Sequence, residues 1–334
     1  MSDFDYAGYF RRLQDLKKLQ IKADDVSWLE QHQPPDRAYD LVLYLGCNIL
    51  RTPHIAKQVV DVFTYLKLDF VAVGGVHFCC GIVHDKFDGP KKGGQVSDRS
   101  VARLQDYRPK QVVMWCPSCN VHFKDIVIGR DDKQPPFSIT HTPQLLAQMS
   151  ARGEIPWQQP VPCRIALHTH VGRSDHEEGQ RRAREDREAV VALLGTIPGV
   201  EIVVELEAPP ALDYDCGIAG LRLPAEQINE TRAGLLSSLR SDMNADTIVT
   251  ISHACQREWC QEADQHLQVR NYISIVAEAL GLATANDRLG EFKNSGELEE
   301  ILDSSQAEWQ SHGLTREQAR RLATKYFAGG EMAP

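Results

Sequence analysis

The chain has 334 residues, 42% hydrophobic and 25% charged, an ordinary globular composition long enough for about two domains. Thirty-seven basic residues against 46 acidic ones give a net charge of −9, and no basic block or nucleic-acid motif occurs. That balance argues against nucleic acid and anionic membranes as partners. No run of about 18 apolar residues predicts a transmembrane segment, and the first residues lack the apolar core of a signal peptide, so a cytoplasmic protein is the default expectation. Nine cysteines are more than such a core needs; clustered in a reducing compartment they read as metal ligands or redox groups.

In chain order, residues 1–38 read as a helical extension that closes at Gln33-Pro34-Pro35. A first α/β segment, residues 39–152, follows. Its strands are Leu41–Leu45, Phe70–Val73 and Gln111–Trp115, with helices predicted over His54–Leu66 and Ser97–Tyr107. The Gly- and Lys-rich stretch His84–Gln95 reads as a basic loop, either solvated or a lid. A second segment, residues 153–283, repeats the order: strands at Arg164–Leu167, Val200–Leu206 and Thr247–Ile251, helices over Glu177–Leu194 and Pro224–Ser241. A matching helix closes each half, after Ile139-Thr140-His141 and Val269-Arg270-Asn271. Residues 284–334 read as a charged, peripheral helical tail. Strands alternating with helices imply α/β units with parallel sheets.

The repeat can be counted. Thirty-four residues lie between Gly81 and Cys116, and 34 between Gly217 and Ser252; two separate Cys116 from Cys119, and two separate Ser252 from Cys255. The chain therefore reads as a tandem duplication of one α/β unit in a pseudo-two-fold relation.

The first half carries Cys47, then Cys79-Cys80-Gly81, then Cys116-Pro117-Ser118-Cys119, each just past the end of a strand, where open α/β sheets bind their ligands. By donor type alone, these thiols suit an iron–sulfur cluster, zinc or copper(I). A lone Cys-x-x-Cys would say little, but the long spacings carry a resemblance. The pattern resembles the CCG-domain (cysteine-rich domain) family, best known from the B subunit of heterodisulfide reductase, over about residues 40–283.

The resemblance implies a noncubane [4Fe–4S] cluster bound by Cys47, Cys79, Cys80, Cys116 and Cys119, with Gly81 freeing the turn. It also implies partners: a ferredoxin-like iron–sulfur subunit and a flavin-bearing subunit. With one intact motif, the chain looks more like the heterodisulfide-reductase-like proteins of bacterial sulfur oxidation, whose substrate arrives on a lipoate-binding carrier protein. Catalysis would fall to the cluster itself, with His84 or His77 as proton donor. The alternative is a non-catalytic electron-transfer or assembly subunit.

In the second half, Asp215 and Ser252 take ligand positions, Cys216 and Cys255 persist, and the leading ligand falls near Thr169. Three readings stand: a structural site; a different metal on His168, His170, Asp215, Cys216, His253 or Cys255; or a modified cluster recruiting Cys163 or Cys260.

Overall fold

The computed structural model describes residues 4–29, 35–123, 136–169, 177–206, 225–241 and 243–328. The chain forms two compact units, Met1–Leu145 with Ser305–Thr315 and Leu146–Ser304 with Arg316–Pro334.

In the first, α1 (Tyr6–Lys17) precedes β1 (Leu41–Tyr44), α2 (Pro53–Tyr65), β2 (Phe70–Val73), α3 (Ile82–Asp88), α4 (Pro90–Asp106), β3 (Gln111–Met114), α5 (Pro117–Val121) and β4 (Ser138–His141). After α6 (Thr142–Ala151) come β5 (Cys163–His168), α7 (Glu177–Leu194), β6 (Val200–Leu206), α8 (Ala225–Ser241), β7 (Thr247–Thr250), α9 (His253–Trp259), β8 (Gln268–Asn271) and α10 (Tyr272–Ala279).

Each unit holds one four-stranded, wholly parallel sheet. The order is β2-β1-β3-β4 in one and β6-β5-β7-β8 in the other, the same order twice. The expected duplicated α/β architecture is present. The central strands are near-continuous apolar runs because helices cover both faces of a parallel sheet; Val42, Leu43 and Tyr44 of β1 and Ile248 and Val249 of β7 are fully buried.

Three expectations change. First, each half has a fourth strand, β4 and β8, ahead of its closing helix. Ser138-Ile-Thr-His and Gln268-Val-Arg-Asn are too polar to announce a strand, and pairing with β3 and β7 makes them one.

Second, the stretch predicted as a basic loop is helical, α3 and most of the first half of α4. Gly89, at φ 87°, breaks the two helices apart, and Pro90 starts the second where its missing N–H costs nothing. Gly93 lets α4 press onto α3: a Cβ there would lie 2.7 Å from the Asp85 Cα.

Third, the tail is not peripheral. In α11 (Arg288–Ser295) and α12 (Leu298–Ser304), Leu289, Phe292, Ile301 and Leu302 are buried. Residues of α13 (Gln306–Ser311) join the first unit, where the Ala23 N–H donates to Ser311 Oγ at 2.9 Å; α14 (Arg316–Ala323) belongs to the second. No helix among the described residues is long and apolar enough to cross a membrane.

Gly93→Ala is expected to lower stability by about 1–3 kcal/mol, the range for overpacking. Gly234→Ala, in mid-helix with open space around its Cα, should raise it by up to about 1 kcal/mol. Urea unfolding of both variants, followed by circular dichroism, checks the opposite signs.

Candidate metal centre

Tyr44 ends β1, Val73 ends β2 and Met114 ends β3 in one register, and the chain then passes from each strand end toward a cysteine. Gly46 and Gly75 bring the β1 and β2 exits together, with the Gly75 N–H donating to the Gly46 carbonyl at 2.9 Å. A Cβ at Gly46 would press to 3.0 Å from the Cys119 sulfur, so glycine lets the backbone pass directly beside the site.

All five cysteines are buried and none forms a disulfide. Cys47 and Cys79 form one grouping, their sulfurs 4.0 Å apart. Cys80, Cys116 and Cys119 form the other, with Cys119 hydrogen-bonded to both of its neighbours. Two thiolates sharing one tetrahedral metal with bonds of about 2.3 Å would stand about 3.8 Å apart. Among the described residues no three His, Cys, Asp or Glu side chains converge on a single ion position.

The electrostatics follow from the crowding. Cys47 is pushed well up by its hydrogen bond to Cys79, then by burial and neighbouring sulfur charge. Cys79 is lowered by the bond it receives from Cys47. For Cys80 the bond from Cys119 acts downward, but burial and like charge outweigh it and the thiol is raised. Cys119 is pushed well up by its bonds to Cys116 and Cys80 and by burial. Five thiols in one dry pocket cannot all ionise unless positive charge enters among them. A polynuclear iron group supplies such charge, and the donor set fits it.

Around the sulfurs lies an apolar shell that includes Val42, Tyr44, Val73, Phe78, Met114 and Phe123. Trp115 is also buried.

Several polar side chains that sequence reasoning passed over hold the turn. Tyr44 donates to the Phe78 carbonyl. Ser100 Oγ donates to the Cys79 carbonyl at 2.6 Å and Ser97 Oγ to the Cys80 carbonyl at 2.7 Å. Ser97 Oγ also lies 3.0 Å from His122 Nε2. The one available signal was spacing: Ser97 and Ser100 sit three apart, hence on one helix face.

Gly81, expected to free the turn, has φ 91°, and a Cβ there would strike the Gly93 carbonyl at 2.5 Å. The two histidines weighed as proton donors have these surroundings. His77 is exposed and only its carbonyl is used, by Arg103. His84 stacks on Tyr6 with ring centroids 4.2 Å apart, and burial lowers its pKa against the pull of Asp88. Neither makes a hydrogen bond to a cysteine among the described residues.

In the second unit His170, Asp215 and Cys216 lie outside the described residues. The register corrects the position of Thr169. Its N–H donates to Leu206, as that of Leu45 does to Val73, so Thr169 stands where Leu45 stands, two residues before Cys47.

Ser252 caps α9, accepting the Ala254 N–H at 3.2 Å. Cys255 sits in the apolar cluster with Trp259, whose ring meets His168 edge-on at 5.3 Å. His253 is buried at the start of the same helix.

Cys163 starts β5, five residues before His168. At about 3.3 Å per residue it lies at the wrong end of the strand to be recruited as a ligand. Cys260 donates to the Arg257 carbonyl and packs on Gly290. Burial pushes Cys163 up to about 11 and Cys260 up to about 12.

The site is thus a buried five-thiol pocket at the carboxyl edge of a parallel α/β sheet. Residues 41–124 match the cysteine-rich domain family (CCG). The chain is 25% identical over 280 residues to the D-type polypeptide of the dihydromethanophenazine:CoB–CoM heterodisulfide reductase of Methanosarcina barkeri, covering 78% of this chain and 64% of that protein. It is 23% identical over 277 residues to the same polypeptide of Methanosarcina mazei, with the same coverage. The chain thus spans about two thirds, 64%, of these relatives' length. Residues 41–124 are thus similar to the CCG family and the chain to heterodisulfide reductase subunits, as the motif's resemblance implied. The solved structure of a putative Asp/Glu racemase from Yersinia pestis overlaps 72% of this chain and 96% of its own at 12% identity, with a TM-score of 0.36, too low to support any reading.

Folded-state pKa values near 11 and 12, against 9.0 for an ordinary thiol, mean that Cys163 and Cys260 are neutral in the fold. Their contribution to stability is complete below about pH 9 and is lost as pH rises through 11–12. At pH 8 the thiolate fraction of Cys163 is roughly one in a thousand. Iodoacetamide at pH 8 should leave both unmodified in the native protein and label both in urea, read by peptide mass spectrometry.

Proposed function

We propose that this chain is an iron–sulfur redox subunit of a heterodisulfide-reductase-like assembly, binding one noncubane [4Fe–4S] cluster through Cys47, Cys79, Cys80, Cys116 and Cys119 and acting on a disulfide–thiol couple. The observation that carries it is the pocket: five reduced, buried cysteines at CCG spacing, in two groupings that suit a polynuclear group. The relatives, named as heterodisulfide reductase subunits, support the same reading.

When bound, the cluster supplies one-electron chemistry. The chain's own part is to hold five thiolates and exclude water, which the apolar shell of Tyr44, Phe78 and Phe123 does. A disulfide needs two electrons and two protons to become two thiols. A partner must therefore deliver or remove the electrons, for which a ferredoxin-like iron–sulfur subunit and a flavin-bearing subunit are the proposed sources.

The substrate proposed is a sulfur group on a lipoate-binding carrier, since only one cysteine motif is intact. The second repeat favours a structural or docking role for its half: Ser252 caps a helix and Cys255 is packed in an apolar cluster, so both serve the fold.

Protein purified anaerobically should contain about four irons with matching acid-labile sulfide, and a dithiol or disulfide should change its electron paramagnetic resonance signal. Cys80→Ser should lose the iron. Zinc without sulfide, or full iron in Cys80→Ser, would overturn the assignment.

A further inference from the structure

Three successive carbonyls of the Cys79–Cys80 turn are each taken by a side-chain hydroxyl. Phe78 is taken by Tyr44, Cys79 by Ser100 and Cys80 by Ser97. The two serines are 0% and 2% exposed, so water does not compete for these carbonyls. The hydroxyls come from two elements, β1 and α4, that meet only in the folded unit.

The consequence lies in the peptide groups themselves. A trans peptide is planar, with its C=O and N–H pointing in opposite directions. Fixing the Cys80 carbonyl on Ser97 therefore aims the Gly81 N–H the other way, and that N–H acts on the Cys79 sulfur, lowering the pKa of its thiol. The next peptide is fixed likewise: the Gly81 carbonyl accepts the Asp85 N–H at 2.8 Å, and the Ile82 N–H acts to lower the pKa of the Cys80 thiol. Ser97 has one hydrogen, shared between the Cys80 and Gly93 carbonyls at 2.7 and 2.9 Å. Its oxygen therefore accepts from His122 Nε2, which fixes that ring's proton on Nε2 and locks the hydroxyl in place.

We propose that Ser97, supported by Ser100, Tyr44 and His122, sets the reduction potential of the metal group by holding the Gly81 N–H toward the Cys79 sulfur. The inference rests on the iron–sulfur reading of the site. Hydrogen bonds to ligand sulfurs stabilise the more negative, reduced state and raise the potential. Ser97 touches no sulfur; it is a positioning residue that acts through the peptide it holds. Releasing the Cys80 carbonyl lets that peptide turn, swings the Gly81 N–H dipole away from the sulfur and lowers the potential.

The test is an electron-paramagnetic-resonance redox titration of the full chain, after iron and sulfide assay. Ser97→Ala should keep its iron and sulfide, and its midpoint should move negative. A tenfold change in the reduced-to-oxidised ratio is expected, about 59 mV for a one-electron step. Ser100→Ala and Tyr44→Phe should move it the same way by less, and Ser97→Thr, which keeps the hydroxyl, should restore it. Should Ser97→Ala lose its iron, the negative shifts of Ser100→Ala and Tyr44→Phe carry the inference, and unshifted midpoints in both overturn it. A wild-type midpoint in iron-replete Ser97→Ala, or an equal shift in Ser97→Thr, also overturns it while leaving the iron–sulfur reading intact. Wild-type protein without iron and sulfide would fail that reading first.

Discussion

Five thiols confined to one dry pocket repel one another as soon as they ionise, and much of the first unit answers that constraint. Burial alone would keep them protonated. The fold gathers them all the same, from three chain segments leaving a single register line of parallel strands, and turns backbone N–H groups toward the Cys79 and Cys80 sulfurs. Positive charge inside the pocket and N–H dipoles around it are the two ways to make such a set stable as thiolates. The structure provides the second and leaves room, chemically, for the first.

The second unit shows what the same scaffold does when that constraint is lifted. Its sheet has the same strand order, and its strand ends make the same kind of contacts. His141 reaches the Trp115 carbonyl in one unit; Asn271 reaches the Ile251 carbonyl in the other. At the position of Cys116 stands Ser252, which caps a helix, a task serine does well. At the position of Cys119 stands Cys255, packed among Trp259, Leu236 and Ile248. Four residues beyond these cysteines Phe123 is answered by the larger Trp259, a ring that fills space inside an apolar cluster. Among the described residues, Ser252 and Cys255 belong to a helix cap and an apolar cluster.

The parts of the fold that are hard to read from sequence share a cause. β4 and β8 are edge strands with polar sequences, made strands by a neighbour rather than by their own residues. The helices over Ile82–Asp106 carry glycines that ordinarily break helices; here Gly93 is needed because α3 and α4 approach too closely for a side chain. Motif resemblance puts the leading position of the second half near Thr169, and the strand register sets Thr169 opposite Leu45, two residues before the position of Cys47. In each case the deciding contact joins one element to another and cannot be read from either segment alone.

The sequence by itself determined the cysteine motif and the repeat. Five cysteines at fixed intervals, a glycine after the pair and a counted repeat follow from residue identity and spacing, which no packing can alter. The alternation of apolar runs with amphipathic stretches settled the α/β class for the same reason. Only the tertiary structure decided how the cysteines are poised. Which sulfur is raised and which lowered, and which hydroxyl holds which carbonyl, depend on β1, α3 and α4 converging within hydrogen-bond distance. A linear pattern can name the cysteines, but the field around them is set by neighbours from other elements.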